Sequence, residues 1–285
     1  MPIQAAAVGS EIGPYERDLS VRYSLAYAAG LGETAEVYFD DARTGGVYSP
    51  PMMVIPLEWP ASRDIRETPD FGASDDERRR VVHAAQDTQI HVPLRPGMMT
   101  RSVGRLVCVK RIKPGTMTIT RLLLEADDGT HLATSYSSAI YRGIEMAGDD
   151  TIEDEPPAWP ELTPTGDWTE KTVHIQREMP HVYTECADIW SPIHTERRVA
   201  LAAGLPDIIL HGTATLALGI KEIMAGHLND RPERLKRFAC RFTGMVIPGT
   251  DINVRHAPAQ GGAVFEVLNA DGAKAVSQGM ALFGE

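Results

Sequence analysis

Residues 187–213 read ADIWSPIHTERRVALAAGLPDIILHGT, and they decide the fold. Ser191 followed by Pro192 is typical of a helix start, with the serine as cap and the proline at the first helical position. Gly204 ends that short helix. The chain from Gly212 onward is apolar at nearly every position, and a helix with almost no polar face is a buried one. The stretch therefore predicts a short capped helix, a turn and a buried helix that begins at Gly212.

The polar groups of this stretch fall at the two helix starts. Asp188 and His194 flank the first start, and a carboxylate near a histidine can orient it, share a proton or activate a water. The start of a buried helix offers unpaired N–H groups and the positive end of its dipole. Gly212 has no side chain to block an oxyanion at that point. We therefore predict Asp188, His194 and Gly212 as catalytic residues.

Three further residues are predicted to contact the substrate or to support its site. Ser191 either caps its helix or holds a water. His211 stands at the entrance of the buried helix; no His-x-x-x-His or cysteine pair accompanies it, so no metal site is predicted. Arg241 belongs to a group of basic residues after the buried helix that could meet an anionic ligand, although such a run is also typical of a solvated face.

The stretch resembles the hydratase 2 motif of the MaoC-like (R)-specific enoyl-CoA hydratases. That motif runs Asp-x-Asn-Pro-Leu/Ile-His, then a short helix ending Ala-Ala-Gly-Phe/Leu, then Pro-Ile-Leu-His-Gly. The matching segments here are Ser191–His194, Ala202–Leu205 and Ile209–Gly212. Ser191 replaces the usual Asn, and Asp188 lies one residue further from His194 than the family's Asp. A bulge is therefore expected to bring the carboxylate back.

The second half of the chain repeats the first. Pro96-Gly97 and Pro248-Gly249 each lead into a strand, and the turn at Gly129 corresponds to the turn at Gly272. Alternating apolar and polar residues separated by such turns indicate an antiparallel sheet with one buried face. In the first half the alternating segments are 88–92, 100–112, 116–125 and 132–141. We interpret the repeat as duplication of one helix-plus-sheet unit.

The resemblance implies an α+β double hotdog, two antiparallel sheets each wrapped around a central helix. The predicted domains are an N-terminal hotdog over 1–148, an acidic, proline-rich linker over 149–167 that is extended and solvated, and a C-terminal hotdog over 168–285. Pro56 interrupts the apolar run of the first copy, and no His-Gly follows it. Its helix is therefore expected to be degenerate, and the resemblance implies a non-catalytic domain that accommodates an acyl chain. Val37–Phe39 is predicted as a strand.

The charge and composition of the chain limit the kinds of molecule that it is expected to bind. The net charge of −11 argues against nucleic acid and anionic membrane, since both are bound by Lys and Arg. No apolar run is long enough to predict a membrane-spanning segment, and the residues after Met1 do not predict a signal peptide. The three cysteines are far apart and indicate reduced thiols in a cytoplasmic protein; Cys186 is expected to be structural rather than nucleophilic.

The resemblance implies a hydro-lyase that needs no cofactor and acts on an acyl-CoA thioester. Water held between Asp188 and His194 would add to a 2-enoyl-CoA and give a 3-hydroxyacyl-CoA of (R) configuration. Two alternatives stay open: a thioesterase of the same fold, and a non-catalytic subunit that binds acyl thioesters. The fused pair of hotdogs is expected to be a monomer or a homodimer.

Overall fold

The computed structural model describes residues 1–78 and 81–284. Glu285, the last residue of the predicted C-terminal hotdog, lies outside the described residues. The strands are β1 (Ile3–Gln4), β2 (Glu11–Leu19), β3 (Val81–Ile90), β4 (Met98–Ile112), β5 (Gly115–Ala126), β6 (His131–Arg142), β7 (Met146–Ala147), β8 (Thr151–Ile152), β9 (Thr169–His174), β10 (Leu235–Phe242), β11 (Asp251–Ala259), β12 (Gly262–Leu268) and β13 (Lys274–Phe283). The α-helices are α1 (Val21–Gly30), α2 (Glu36–Phe39), α3 (Val54–Asp64), α4 (Asp75–Arg78), α5 (Met179–Ala187), α6 (Arg197–Ala202) and α7 (Gly212–His227).

The two halves form one continuous antiparallel sheet. Its 11 strands follow the order β2-β4-β5-β6-β3-β10-β13-β12-β11-β9, with β8 added to β4. The order of the second half mirrors the first, so each half is the same unit and the duplication is visible in the topology. The two sheets expected from the sequence join edge to edge, because β3 pairs with β10 from Gln89–Arg237 to Ala85–Arg241. The pairing removes one exposed edge from each half.

Each half packs one central helix against its part of the sheet. Helix α7 has 16 residues and begins at Gly212 as predicted, whereas α3 has 11 residues and contains Pro60. Pro56 lies near the start of α3, where a missing N–H is tolerated best, so a helix still forms there. The N-terminal central helix is therefore shorter than its counterpart, in agreement with the expected degeneracy.

Glycines at seven-residue intervals let α7 approach the sheet closely. Gly212, Gly219 and Gly226 lie on one face of the helix, because seven residues are close to two turns. A Cβ atom at Gly219 would lie 2.9 Å from the ring of Phe265 on β12. A Cβ atom at Gly212 would lie 3.1 Å from a ring carbon of Phe242, and one at Gly226 would lie 2.9 Å from a ring carbon of His256. The contact between the backbone of α7 and these aromatic rings therefore sets the distance between the helix and the sheet.

Two local expectations differ from the structure. Val37–Phe39 lies in helix α2, not in a strand, because a short apolar run does not by itself distinguish the two. The first alternating segment begins at Val81 rather than at residue 88. The other three predicted strands are confirmed as β4, β5 and β6.

The segment predicted as a solvated linker is extended but lies against the outer face of the sheet. Its strand β8 pairs with β4, and Pro164 bridges to Ala259 on β11. The Asp154 carboxylate accepts a hydrogen bond from Arg121 at 2.8 Å, and Trp159 donates to Asp87 at 2.9 Å. Ion pairs to sheet arginines thus fix a chain that its composition alone suggested would be mobile. The domain boundaries themselves stay a prediction.

All three cysteines are free, and Cys108 and Cys240 are buried. Burial raises the pKa of the Cys186 thiol, which does not suit a nucleophile and agrees with a structural role. Among the helices that the structure describes, none is long and apolar enough to cross a membrane.

We expect Gly219→Ala to destabilise the fold by about 1–3 kcal/mol, although alanine favours a helix over glycine by about 0.5–1 kcal/mol. The added methyl group would lie 2.9 Å from the Phe265 ring. Thermal and denaturant unfolding of the single mutant measures the change. The matched control is Gly219→Ala in a Phe265→Leu background, where the smaller side chain leaves room and most of the penalty should disappear. Equal penalties in both backgrounds would show that this contact does not limit the approach of α7.

Candidate active site

The His194 side chain is held as a neutral base. It ends a short 3-10 helix, Pro192–His194, and its Nδ1 lies 2.8 Å from the carbonyl oxygen of Ile209. Since a carbonyl only accepts hydrogen bonds, Nδ1 carries the proton and Nε2 keeps its lone pair. Burial lowers the pKa of His194 to about 4, against the smaller opposing effect of the Ile209 carbonyl. The imidazole is therefore uncharged at neutral pH and can accept a proton at Nε2.

His211 joins His194 to the start of α7. The two imidazole rings are stacked, with centroids 3.7 Å apart and planes inclined by 24°. His211 is buried, its Nε2 lies 3.2 Å from the Thr184 hydroxyl, and its Nδ1 completes no hydrogen bond within the described residues. Burial lowers the pKa of His211 well below its usual range, and the neighbouring His194 lowers it further. The uncharged His211 ring therefore packs against the His194 ring, and its predicted role in the site stays a prediction.

The N-terminus of α7 is available to an anion. His211 occupies the cap position, and its side chain makes no capping hydrogen bond. The first N–H groups of the helix, at Gly212 and the residues after it, consequently lack a side-chain partner. The Phe242 ring lies where a side chain of residue 212 would be, which explains the glycine there. The structure thus brings together His194, His211 and Gly212.

Asp188 lies at the C-terminal end of α5 and is fixed by the other half of the chain. It adopts a left-handed backbone conformation with φ 53°, and the bulge expected to bring its carboxylate back towards His194 stays a prediction. Its side chain is 66% exposed and forms an ion pair with Arg17. Among the described residues, the structure records no hydrogen bond between Asp188 and His194. The two residues flank one segment as predicted, but the direct pairing between them stays a prediction.

Ser191 does not cap the helix that follows it. It occupies the residue before Pro192 with φ −148° and ψ 128°, and its side chain makes no capping hydrogen bond. The predicted short helix is also split, since α6 starts only at Arg197. Ser191 is partly buried and lies three residues before His194. Its role in holding a water stays a prediction.

Arg241 lies on the opposite face of the sheet from the site. The neighbouring Phe242 faces α7 through its contact with Gly212, and successive side chains of a strand point to opposite faces. The Arg241 guanidinium donates to Gln278 at 2.6 Å and lies 5.6 Å from the centre of the Trp159 ring. The structure therefore does not bring Arg241 to the predicted catalytic residues.

Four supporting residues were not found by reasoning from the sequence. Arg17 holds Asp188, and the Tyr23 hydroxyl donates to the Ala187 carbonyl at 2.8 Å. Thr184 contacts His211, and Tyr183 donates to Thr213 in the first turn of α7 at 3.2 Å. Arg17 and Tyr23 belong to the N-terminal half, so no local spacing could associate them with this site.

An open cavity of about 270 Å³ lies at the other end of α7. Its lining includes Arg43, Arg95 and Arg231, together with Asp230 and Glu233. None of the predicted site residues contributes to it. No group of three or more histidine, cysteine or acidic residues within 1–78 and 81–284 is arranged to hold a metal ion.

Comparison with known proteins assigns both halves to related domains. Residues 166–279 match the MaoC like domain, and residues 6–135 match the FAS1-like dehydratase domain region. The enoyl-CoA hydratase ChsH3 of Mycobacterium tuberculosis is 26% identical over 187 residues, which cover 66% of this chain and 64% of that protein. The 3-hydroxyacyl-thioester dehydratase Y of the same organism is 24% identical over 96% of this chain and 95% of its own length.

Solved structures share the architecture over nearly the whole chain. A MaoC-like dehydratase from Phytophthora capsici superimposes with a TM-score of 0.83 at 19% identity, covering 97% of this chain and 96% of that one. A Mycobacterium tuberculosis protein described as a double hotdog fold has a TM-score of 0.63 at 12% identity, covering 97% and 96%. Residues 166–279 thus contain a MaoC like domain, residues 6–135 match a dehydratase domain region, and the whole chain has the double-hotdog architecture of these solved structures.

Proposed function

We propose that this chain hydrates a 2-enoyl-CoA reversibly to a 3-hydroxyacyl-CoA, with the product in the (R) configuration. The observation that carries the proposal is the tautomer of His194, whose free Nε2 is a proton acceptor beside the uncapped start of α7. The two similar proteins named as an enoyl-CoA hydratase and a 3-hydroxyacyl-thioester dehydratase support the same reaction.

The chemistry needs a base for water and a donor for the thioester oxygen. Water held between Asp188 and His194 bonds through its oxygen to the β-carbon and gives one proton to this pair. The pair then returns a proton to the α-carbon, so the net change is the addition of one water. Negative charge that develops on the thioester oxygen is stabilised by the N–H of Gly212 at the positive end of α7. The Ile209 carbonyl keeps the His194 ring oriented throughout.

In this proposal Arg17 and Tyr23 are positioning residues that the N-terminal half supplies. Arg17 also donates to the Pro56 carbonyl at 3.3 Å, and its guanidinium lies 5.4 Å from the centre of the Tyr23 ring. This network fixes the end of α5, where Asp188 lies. The half without the motif thus contributes to the position of the predicted carboxylate.

We propose an acyl-CoA as substrate rather than a thioester of an acidic carrier protein, because the chain carries a net charge of −11. A cytoplasmic location and a monomeric or homodimeric state remain part of the proposal.

Replacing the predicted acid–base groups should lower turnover without unfolding the protein. We expect His194→Ala and Asp188→Asn each to reduce kcat by about 10²–10⁴, the range for acid–base groups. Loss of the conjugated thioester absorbance of a short and a bulky 2-enoyl-CoA measures hydration. His174→Ala removes an exposed histidine on β9 and serves as the matched control with unchanged turnover.

Three results would contradict this function. Near-normal rates in both mutants would remove the mechanism, and release of free CoA would point to a thioesterase. Binding of acyl-CoA without turnover by the wild type would support a binding subunit instead.

The pH dependence of kcat/KM should reflect the protonation of the His194 imidazole. A base works only when it is unprotonated, and the pKa of His194 is lowered to about 4. We therefore expect kcat/KM to stay level as the pH falls through about 6.5, the ordinary histidine value, and to decrease only as it passes through about 4. The decrease should persist, at a lower rate, in Asp188→Asn. Circular dichroism at each pH controls for unfolding, and a decrease centred near the ordinary histidine value would contradict the burial argument.

Arg17 should act through Asp188. We expect Arg17→Met to lower kcat more than it changes KM, because the carboxylate loses the partner that positions it. In the double mutant with Asp188→Asn the two effects should not add, since coupled residues give non-additive cycles. Fully additive losses would show that Arg17 has a separate role.

A further inference from the structure

Helix α3 of the N-terminal half carries a buried carboxyl group that the mechanism does not use. Glu58 is 1% exposed, neither of its side-chain oxygens completes a hydrogen bond of ordinary length within residues 1–78 and 81–284, and the Ser135 hydroxyl makes only a weaker polar contact with it. Burial raises the pKa of Glu58 well above its usual range, while the Ser135 hydroxyl lowers it by a smaller amount. This direction favours the uncharged acid, which can donate one hydrogen bond and accept others.

Glu58 stands at the deep end of a series of polar side chains on the helix-facing side of the sheet. Thr88 and Ser135 face each other across β3 and β6 with their hydroxyls 2.9 Å apart. Gln86 donates to the Thr88 hydroxyl at 2.9 Å, and Ser137 lies opposite Gln86. We call the following residues the polar row: His83, Ser137, Gln86, Thr88, Ser135 and Glu58.

The other end of the polar row reaches the candidate active site. The His83 ring lies 4.5 Å from the Phe242 ring, centre to centre, and its Nε2 lies 3.2 Å from the Ser137 hydroxyl. Phe242 in turn contacts Gly212 at the start of α7. His83, Ser137 and Phe242 are only partly buried, whereas Gln86, Thr88 and Ser135 are fully buried. The row thus runs from an accessible end beside Gly212 to a closed end at Glu58.

The length of the row matches an extended acyl chain. His83 and Thr88 pair with Ala139 and Ser135, which are four residues apart on β6, and this corresponds to roughly 13 Å of strand. The row lies on β3 and the neighbouring β6, and β3 is the strand that joins β10 where the two halves meet. An acyl group attached to a thioester at Gly212 could therefore extend along this junction towards Glu58.

A buried carboxyl without a partner needs a physical reason, because leaving it unpaired opposes folding. A purely aliphatic acyl chain would be served best by an apolar residue at this position. The six polar side chains along one path instead suit a ligand with its own hydrogen-bonding group. The remaining lone pairs and the acid proton of Glu58 are what such a group would satisfy.

We propose that Glu58, assisted by Ser135, binds an oxygen atom on the distal part of the acyl group, so that the substrate is a long acyl-CoA with a hydroxyl or keto oxygen far from the thioester. This rests on the proposed function for the class of ligand. It goes beyond it by assigning Glu58 as the residue that determines the choice of acyl group.

Binding of two saturated CoA esters tests the proposal without turnover. The probes are dodecanoyl-CoA and 12-hydroxydodecanoyl-CoA, which differ only at the distal carbon and lack the double bond needed for hydration. Isothermal titration calorimetry of the full chain should give about tenfold tighter binding of the hydroxylated ester, a typical effect of one buried hydrogen bond. The preference should vanish in Glu58→Leu. Equal affinities in the wild type, or an unchanged preference in Glu58→Leu, would overturn the proposal.

The melting temperature separates a binding role from a structural one. If Glu58 is kept for a ligand, Glu58→Leu should raise the melting temperature of the ligand-free protein by roughly 2–4 °C, because an unpaired buried acid is removed. Glu222→Leu is the matched control: Glu222 is also buried on a central helix, but it is paired with Lys171 at 2.9 Å, so its loss should lower the melting temperature. A lower melting temperature in Glu58→Leu would mean that Glu58 is a satisfied structural group and would overturn the proposal.

The outcomes also distinguish this inference from the proposed function. A preference for the hydroxylated ester without hydration of any 2-enoyl-CoA would contradict the hydratase and support the Glu58 site. Hydration of a 2-enoyl-CoA without any preference for the hydroxylated ester would support the hydratase and contradict the Glu58 site. Failure to bind either ester would contradict both.

Discussion

The close approach of α7 to the sheet is the constraint on which both fold and site depend. Gly212, Gly219 and Gly226 place helix backbone directly against aromatic rings of three strands. A helix held at this distance cannot shift along the sheet without steric conflict, since protein interiors are close-packed. The first glycine of the series is also the helix start that faces His194 through His211. The same packing that stabilises the fold therefore orients the N–H groups proposed to stabilise the oxyanion.

The two halves share a topology but bring different residues to the candidate site. The C-terminal half carries the His194 and Gly212 arrangement, whereas the N-terminal half lacks the His-Gly sequence and has a shorter central helix. It nonetheless contributes Arg17, which is paired with Asp188, and a strand edge that continues the sheet. The proposed polar row also belongs mainly to this half and ends at Glu58. Under the proposed function, the C-terminal copy retains the chemistry, while the N-terminal copy positions Asp188 and selects the acyl group.

The buried helix and the antiparallel strands were predictable, because apolar periodicity and Pro-Gly and Asp-Gly turns are local signals. The pairing of Arg17 with Asp188 was not predictable, since the partners lie in different halves of the chain. Nor does any local pattern show that β3 joins β10 edge to edge. The placement of Arg241 could have been inferred: an aromatic ring facing Gly212 at position 242 requires residue 241 to point away, given strand alternation. The failure of Ser191 to cap reflects the split of the short helix, a detail of backbone geometry.

In the proposed reaction, His194 and its neighbours direct water to the β-carbon of an enoyl thioester. Incubation with a 2-enoyl-CoA in ¹⁸O-labelled water, followed by mass spectrometry of the CoA ester, tests this step. We expect an intact thioester that has gained one labelled water, with ¹⁸O in the C3 hydroxyl group, and no such product with His194→Ala. Free CoA together with a carboxylate that carries the label would contradict it, because water would then have attacked the carbonyl carbon.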